Sequence, residues 1–235
     1  YDARVQKVAR AVVQLFQHAG VNFAVMGKEE RCLGECSRRM GEEFVFQELA
    51  EHNIQALAGH DVKRIVTHCP HCLNSLRQDY PEVGGNYQVL HHTALLAELQ
   101  AAGKLPTRDT VNGAVTFHDP CYLGRVQGET EAPRSLLRTM LPDAGALQEP
   151  ARRGKETACC GAGGGRMWFD DEAETRIGRD RIDELIGTGA ETVVTGCPFC
   201  LRMVTDGVAE RDDGPAVKDV AELLIEMVRV AREDT

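Results

Sequence analysis

The chain of 235 residues has no apolar run near the roughly 20 residues that a membrane-spanning helix needs. It also lacks a charged N-terminal segment followed by a leader-like apolar stretch. These absences argue against a membrane span in the chain and predict a soluble polypeptide. Positive charge is in deficit, with 27 Lys plus Arg against 36 Asp plus Glu and a net charge of −9. Nucleic acid is therefore not expected as a partner. With 43% hydrophobic and 27% charged residues, disorder as the main state is excluded. There is room for one large domain or two of about 100 residues each. An initiating methionine is missing too: the chain opens on Tyr1 and reads as processed or as a fragment. Whatever precedes it could span a membrane or carry another domain.

What is present is cysteine. The nine fall at Cys32, Cys36, Cys69, Cys72, Cys121, Cys159, Cys160, Cys197 and Cys200, an odd count made of CxxC pairs, one adjacent pair and single residues. A secreted disulfide scaffold is usually shorter and evenly paired. CxxC pairs in a longer acidic chain instead point to metal binding or redox work in a reducing compartment, and the cytoplasm is expected.

Two segments superpose without a gap. Cys32 to Cys69 and Cys160 to Cys197 each span 37 positions, and each run ends in C-P-x-C-L. At an offset of 128, eleven positions between Cys32 and Leu73 are identical to their counterparts, among them Arg38/Arg166, Ile54/Ile182, Gly59/Gly187, Thr67/Thr195 and Cys72/Cys200. HHTALLAELQ (91–100) and KDVAELLIEM (218–227) continue the match as amphipathic helices. The chain reads as a duplication, with copies at 1–110 and 111–235 joined near the turn-rich KLPTRDTVNG. Only the second copy shows its beginning, at Cys121. An equivalent cysteine in the first copy would fall a few residues before Tyr1.

The β-branched runs KRIVT (63–67), ETVVT (191–195) and AVTF (114–117) each precede a cysteine motif and predict buried parallel strands. Helical periodicity appears at 8–20, 44–57 and 175–186. This alternation predicts an α/β fold of two pseudo-symmetric repeats, each a small parallel sheet flanked by helices. The cysteines then lie at the carboxyl ends of strands, where open α/β sheets build their sites.

Cys121, Cys159, Cys160, Cys197 and Cys200 come from three loops that this geometry gathers at one edge. Five thiols are one more than a tetrahedral ion or a cubane cluster uses, so the adjacent pair hints at an unusual cluster with a bridging thiolate. Glycines in the loop after Cys160, Gly161, Gly163 and Gly164, can turn backbone N–H groups toward sulfur. Arg166 and Arg125 could offset negative charge. His118, His68 and His71 flank cysteines, either as donors to a cluster or as packed, hydrogen-bonded rings. Trp168 and Phe169 are expected to shield the site from water. His91 and His92 read as capping or solvated side chains, with Lys218 and Asp219 as their counterparts. GAGGGR lacks the third glycine of a dinucleotide fingerprint, and no phosphate loop follows.

Together FHDPCYLGR, ACCGAGGGRMW and TGCPFC resemble the cysteine-rich CCG domain family, found in heterodisulfide reductase and in iron–sulfur subunits of complexes that oxidise organic substrates. HCPHCLNSL, YQVLHHT and DPCYLGR are most similar to its branch of membrane-bound iron–sulfur oxidoreductases that pass electrons from electron-transfer flavoprotein to menaquinone. The resemblance implies two CCG repeats and a non-cubane [4Fe-4S] cluster on the five cysteines of the second copy. It also implies electron transfer from a flavoprotein or other redox subunit toward a quinone reached through the upstream region, on the cytoplasmic face of a membrane. The first copy departs from the pattern, because Arg31 stands where the second has Cys159. Its site is either a [4Fe-4S] cluster on Cys32, Cys69, Cys72 and an upstream cysteine, or a zinc ion with Cys36 as fourth ligand. Two rival functions stay open: reduction of a disulfide substrate at the second site, as in heterodisulfide reductase, or a zinc-binding structural module.

Overall fold

A computed structural model of the chain describes residues 2–107, 110–169 and 176–228. Asp2 starts the first helix, α1 (Ala3–His18), by accepting from the backbone N–H groups of Arg4 and Val5 at 2.7 and 3.4 Å. Val8, Ala11, Leu15 and Phe16 form the buried stripe of α1. There follow α2 (Glu35–Arg39), α3 (Glu43–Gly59), β1 (Arg64–Thr67), α4 (Pro70–Asn74), β2 (Gln88–His91) and α5 (His92–Ala101). The second half contributes β3 (Val115–His118), α6 (Glu131–Met140), α7 (Gly178–Ile186), β4 (Thr192–Thr195), α8 (Pro198–Ala209), β5 (Ala216–Asp219) and α9 (Val220–Met227).

A shift of 128 residues carries β1 onto β4 and β2 onto β5 over their full lengths, and it carries the first residues of α1, α4 and α5 onto those of α6, α8 and α9. In the first half β1 pairs with β2, and in the second the order is β3-β4-β5, all parallel. Pro70 and Pro198 each stand at the first position of a helix, with Cys69 and Cys197 as the preceding extended residue. A proline there suits the fixed φ and missing N–H of a first helical turn. Each C-P-x-C run is thus a strand-to-helix corner.

Sequence periodicity misses two strands. QVLH and AVKD are only four residues long and carry Gln and Lys, too little for an alternating pattern to register. As a result the helices predicted from 91 and 218 begin at His92 and Val220, and His91 is the counterpart of Asp219 rather than of Lys218, with His92 opposite Val220. β3 is buried throughout and β4 nearly so, but β1 is half-buried with Arg64 exposed, so the expectation of a buried strand fails there. The helix predicted over 175–186 starts at Gly178; Thr175 lies outside the described residues, as do Arg108 and Asp109 of the expected boundary.

The largest apolar cluster draws on both halves: Leu15 and Phe16 of α1, Leu96 and Leu99 of α5, Phe117 of β3, Leu136, Leu137 and Met140 of α6, and Val220, Leu223 and Leu224 of α9. Its logic is reciprocal. α1 packs on α9 and α5 packs on α6, so the first helix of each half lies against the last helix of the other. Arg4 of α1 reinforces this with bonds to Glu222 Oε2 at 2.6 Å and Val217 O at 3.0 Å. Among the described residues no helix is long and apolar enough to cross a membrane.

Candidate metal centre

The second sheet aligns His118, Thr195 and Asp219 at the carboxyl ends of its three strands. Cys121 follows β3 by three residues and Cys197 follows β4 by two. Asp119, between His118 and Pro120, fixes the first of these loops. It is 1% exposed, takes both guanidinium arms of Arg134 at 2.7 and 2.8 Å, and accepts from Gly154 N–H at 2.8 Å. Arg134 is also paired with Glu149 at 2.8 Å. Buried charge is tolerable only with such saturation.

The thiols converge. Cys121 Sγ lies 3.9 Å from Cys159 Sγ, and Cys160 Sγ lies 3.3 Å from Cys200 Sγ. Cys159 is pulled down toward the thiolate by the thiols of Cys121 and Cys160 and by the backbone N–H of Gly161, 3.3 Å from its sulfur. Cys121 moves the opposite way because Cys159 takes the charge. Cys200 interacts with both Cys160 and Cys197. The run then crosses between the halves: Cys69 is lowered by the thiols of Cys197 and Cys72. Seven sulfurs, from Cys121 through Cys159, Cys160, Cys200, Cys197 and Cys69 to Cys72, therefore form one chain of neighbours, and all nine cysteines are free thiols. Two sites expected separately from the sequence abut.

The wall is apolar: Ala162, Met167, Phe199 and Met203 pack on Cys160, Cys197 and Cys200. Trp168 and Phe169, expected to do this, are 68% and 61% exposed. Gly161 and Gly164 hold φ of +91° and +67°, so the loop after Cys160 uses the backbone freedom that glycine alone has without strain. Gly163 lies beside His71, where a Cβ would make an ordinary van der Waals contact with the imidazole at 3.5 Å.

In the first half Cys32 is exposed and accepts from Gly34 N–H at 3.5 Å. Its loop is pinned by Asn53, 2% exposed, which donates to Arg31 O and Cys32 O and accepts from Arg31 N–H at 2.9 Å. Cys36 donates to Glu35 Oε2 at 3.5 Å, and burial together with that carboxylate pushes its thiol up to about 11. His71 is buried, 3.3 Å from Glu35 Oε1, and stacks on Tyr122 with ring centres 4.1 Å apart. Burial opposes its protonation, but Glu35 and Cys69 outweigh it and the imidazole pKa rises.

The remaining candidates separate. Arg125 gives its guanidinium to the carbonyls of Thr157 and Lys155, on the approach to Cys159. Arg166 is exposed on a shallow groove with Met40, Glu42, Gly164 and Phe169. His68 faces His92 at 6.5 Å between ring centres, and burial and then His92 lower its pKa. His91 and His92 are fully buried, not solvated. His91 Nδ1 bonds Thr93 Oγ1 at 2.7 Å, and His92 Nε2 reaches Asp219 Oδ1 at 3.1 Å. The prediction of surface rings fails because the strand before them turns both into the seam between the halves.

Free, clustered thiols, an apolar wall and a glycine N–H donating to sulfur suit an iron–sulfur cluster, whose reduced sulfurs are stabilised by such donors. Cys121, Cys159, Cys160, Cys197 and Cys200 would hold it, and Cys32, Cys69 and Cys72 would serve the neighbouring centre. Sequence reasoning missed Asp119, Arg134, Asn53, Glu35 and Arg181. Of these, Asp119, inside the HDPC run, and Glu35, next to Cys36, sat close enough to a cysteine to be suspected.

The profile of the cysteine-rich domain family, CCG, matches residues 1–77 and 115–205. An EtfAB:quinone oxidoreductase of Syntrophomonas wolfei is 42% identical over 234 residues, covering 95% of the chain and 32% of that protein. A probable iron-sulfur-binding oxidoreductase, FadF, of Bacillus subtilis is 42% identical over 231 residues, covering 97% and 32%. A component of the dihydromethanophenazine:CoB–CoM heterodisulfide reductase of Methanosarcina barkeri is 33% identical over 225 residues, covering 93% and 54%. The chain spans 32% of the length of the first two relatives.

Proposed function

The chain belongs to the cysteine-rich CCG domain family, and on that footing we propose that it is the iron–sulfur electron-transfer part of a larger oxidoreductase. In this reading electrons enter from a flavoprotein or another redox subunit and leave toward a quinone, with the chain at the cytoplasmic face of a membrane. The observation that carries it is the unbroken run of seven thiols across the seam between the halves. A structural zinc module has no need of adjoining sites or of a fifth thiol. An iron–sulfur cluster supplies one-electron redox chemistry, and the protein supplies burial, orientation and tuning.

The second copy, 111–235, is the better equipped, with five thiols for a non-cubane [4Fe-4S] cluster. The first, 1–110, offers Cys32, Cys69 and Cys72 for a [4Fe-4S] centre. Cys36 stands aside, because its thiol is bonded to Glu35. The test is quantification of iron, acid-labile sulfide and zinc in anaerobically prepared protein. Iron with matching sulfide and visible absorption is expected. A colourless protein carrying zinc without sulfide would overturn the reading.

A further inference from the structure

His118 and Arg181 form a buried pair beside the second-copy thiols. Both are fully buried. His118 ends β3, and its carbonyl accepts from Thr195 Oγ1 at 3.1 Å, so its backbone is tied to β4. Arg181, on α7, donates Nε–H to His118 Nδ1 at 2.9 Å and Nη1 to Arg152 O and Glu184 Oε2 at 2.8 and 2.9 Å. A guanidinium has five donors and no acceptor, so His118 Nδ1 must be the accepting, unprotonated nitrogen. The neutral ring then carries its proton on Nε2. Imidazolium is excluded because both of its nitrogens would be donors.

Nε2 is the nitrogen left over. It is buried and has no hydrogen-bond partner among the described residues. A ring nitrogen of His118 and the sulfurs of Cys160 and Cys200 all lie within 4.8 Å of one another. This trio superficially resembles part of a cysteine–histidine metal site. Coordination through Nε2 while Nδ1 accepts from Arg181 would require a ring stripped of both protons, and a buried Arg181 already bonded to Glu184 has no acceptor to offer in return.

We propose that Arg181 locks His118 in the Nε2–H tautomer, so that His118 serves the sulfur centre as a hydrogen-bond donor and not as a ligand. Arg181 is the positioning residue, acting through the ring. A donor aimed at sulfur favours the more negative, reduced state and raises the reduction potential. The two copies differ here: the counterpart of Arg181 at the 128-residue shift is Asn53, which binds the backbone of Arg31 and Cys32. The effect is therefore confined to the second-copy centre, and it rests on the iron–sulfur reading above.

Pulsed EPR on the anaerobic, iron-loaded protein with 15N-histidine, exchanged into D2O, tests it directly. A weak coupling to an exchangeable deuteron, lost in His118→Leu, and no coupling of the size a ligated nitrogen gives are expected. In redox titrations followed by visible absorption, His118→Leu and Arg181→Met should each lower the potential, and the double variant should match His118→Leu. A strong nitrogen coupling, no exchangeable deuteron, or additive shifts would overturn the proposal. If the variants lose iron, the wild-type 15N-histidine coupling still decides, because a ligated nitrogen couples strongly and a donor ring only weakly. Wild-type protein without iron would instead refute the functional reading on which this one stands.

Discussion

Arg134 illustrates how single side chains hold the cysteine loops. Its guanidinium satisfies Asp119 with two bonds and Glu149 with two more. Arg134→Met would leave the Asp119 carboxylate buried without its counter-charge, a situation that costs about 3–5 kcal/mol. Urea denaturation should register a loss of that order. Cys197→Ser or Cys200→Ser should remove iron and destabilise the protein, because metal-binding energy in such sites is also folding energy; iron-to-protein ratios check this. Cys36→Ser should leave metal content unchanged, and loss of metal would make Cys36 a ligand after all. The cysteines were legible in the sequence because ligand chemistry lies in residue type and local spacing. Arg134 and Arg181 were not, since their partners Asp119 and His118 lie 15 and 63 positions away, and nothing local distinguishes a buried arginine from a surface one.

At the scale of elements, the repeat is a repeat of corners, each with a short parallel strand, an extended cysteine and a helix opening on proline. Strands of four residues are too short to announce themselves unless β-branched, which is why β1, β3 and β4 were legible and β2 and β5 were not. Close approach between elements matters as much as pattern. A Cβ on Gly178 would lie 2.4 Å from Cys160 O, so α7 touches the Cys159–Cys160 loop backbone to backbone. Gly178→Ala should cost about 1–3 kcal/mol, the range for overpacking, and should lower iron content together with melting temperature. Asp219 joins β5 to α9 through a capping box, with Ala221 N–H donating to Oδ1 and Asp219 N–H donating to Glu222, each at 2.9 Å. It also serves His92. Asp219→Ala should destabilise by about 2 kcal/mol, combining a lost cap with an unsatisfied buried imidazole, while Asp219→Asn keeps most of the cap. Equal losses for the two substitutions in urea denaturation would contradict this.

The whole molecule is held together by exchange between its halves. α1 lies on α9 and α5 on α6, and the apolar cluster they enclose belongs to neither half alone. His71 stacked on Tyr122 and the Cys69–Cys197 contact join the metal loops across the same seam. Far-UV circular dichroism and visible absorption should therefore be lost together in one cooperative step; two separated transitions would show independent halves. Duplication was legible as a fixed offset of 128, but an offset says nothing about which surfaces of the copies meet, so the sequence could not foretell that the two sulfur groups abut. Iron K-edge X-ray absorption of the anaerobically isolated chain tests the convergence of distant cysteines most directly. Iron with an all-sulfur first shell and iron–iron scattering is expected, weakened in Cys121→Ser. A spectrum with nitrogen and oxygen neighbours and no iron–iron scattering would contradict it.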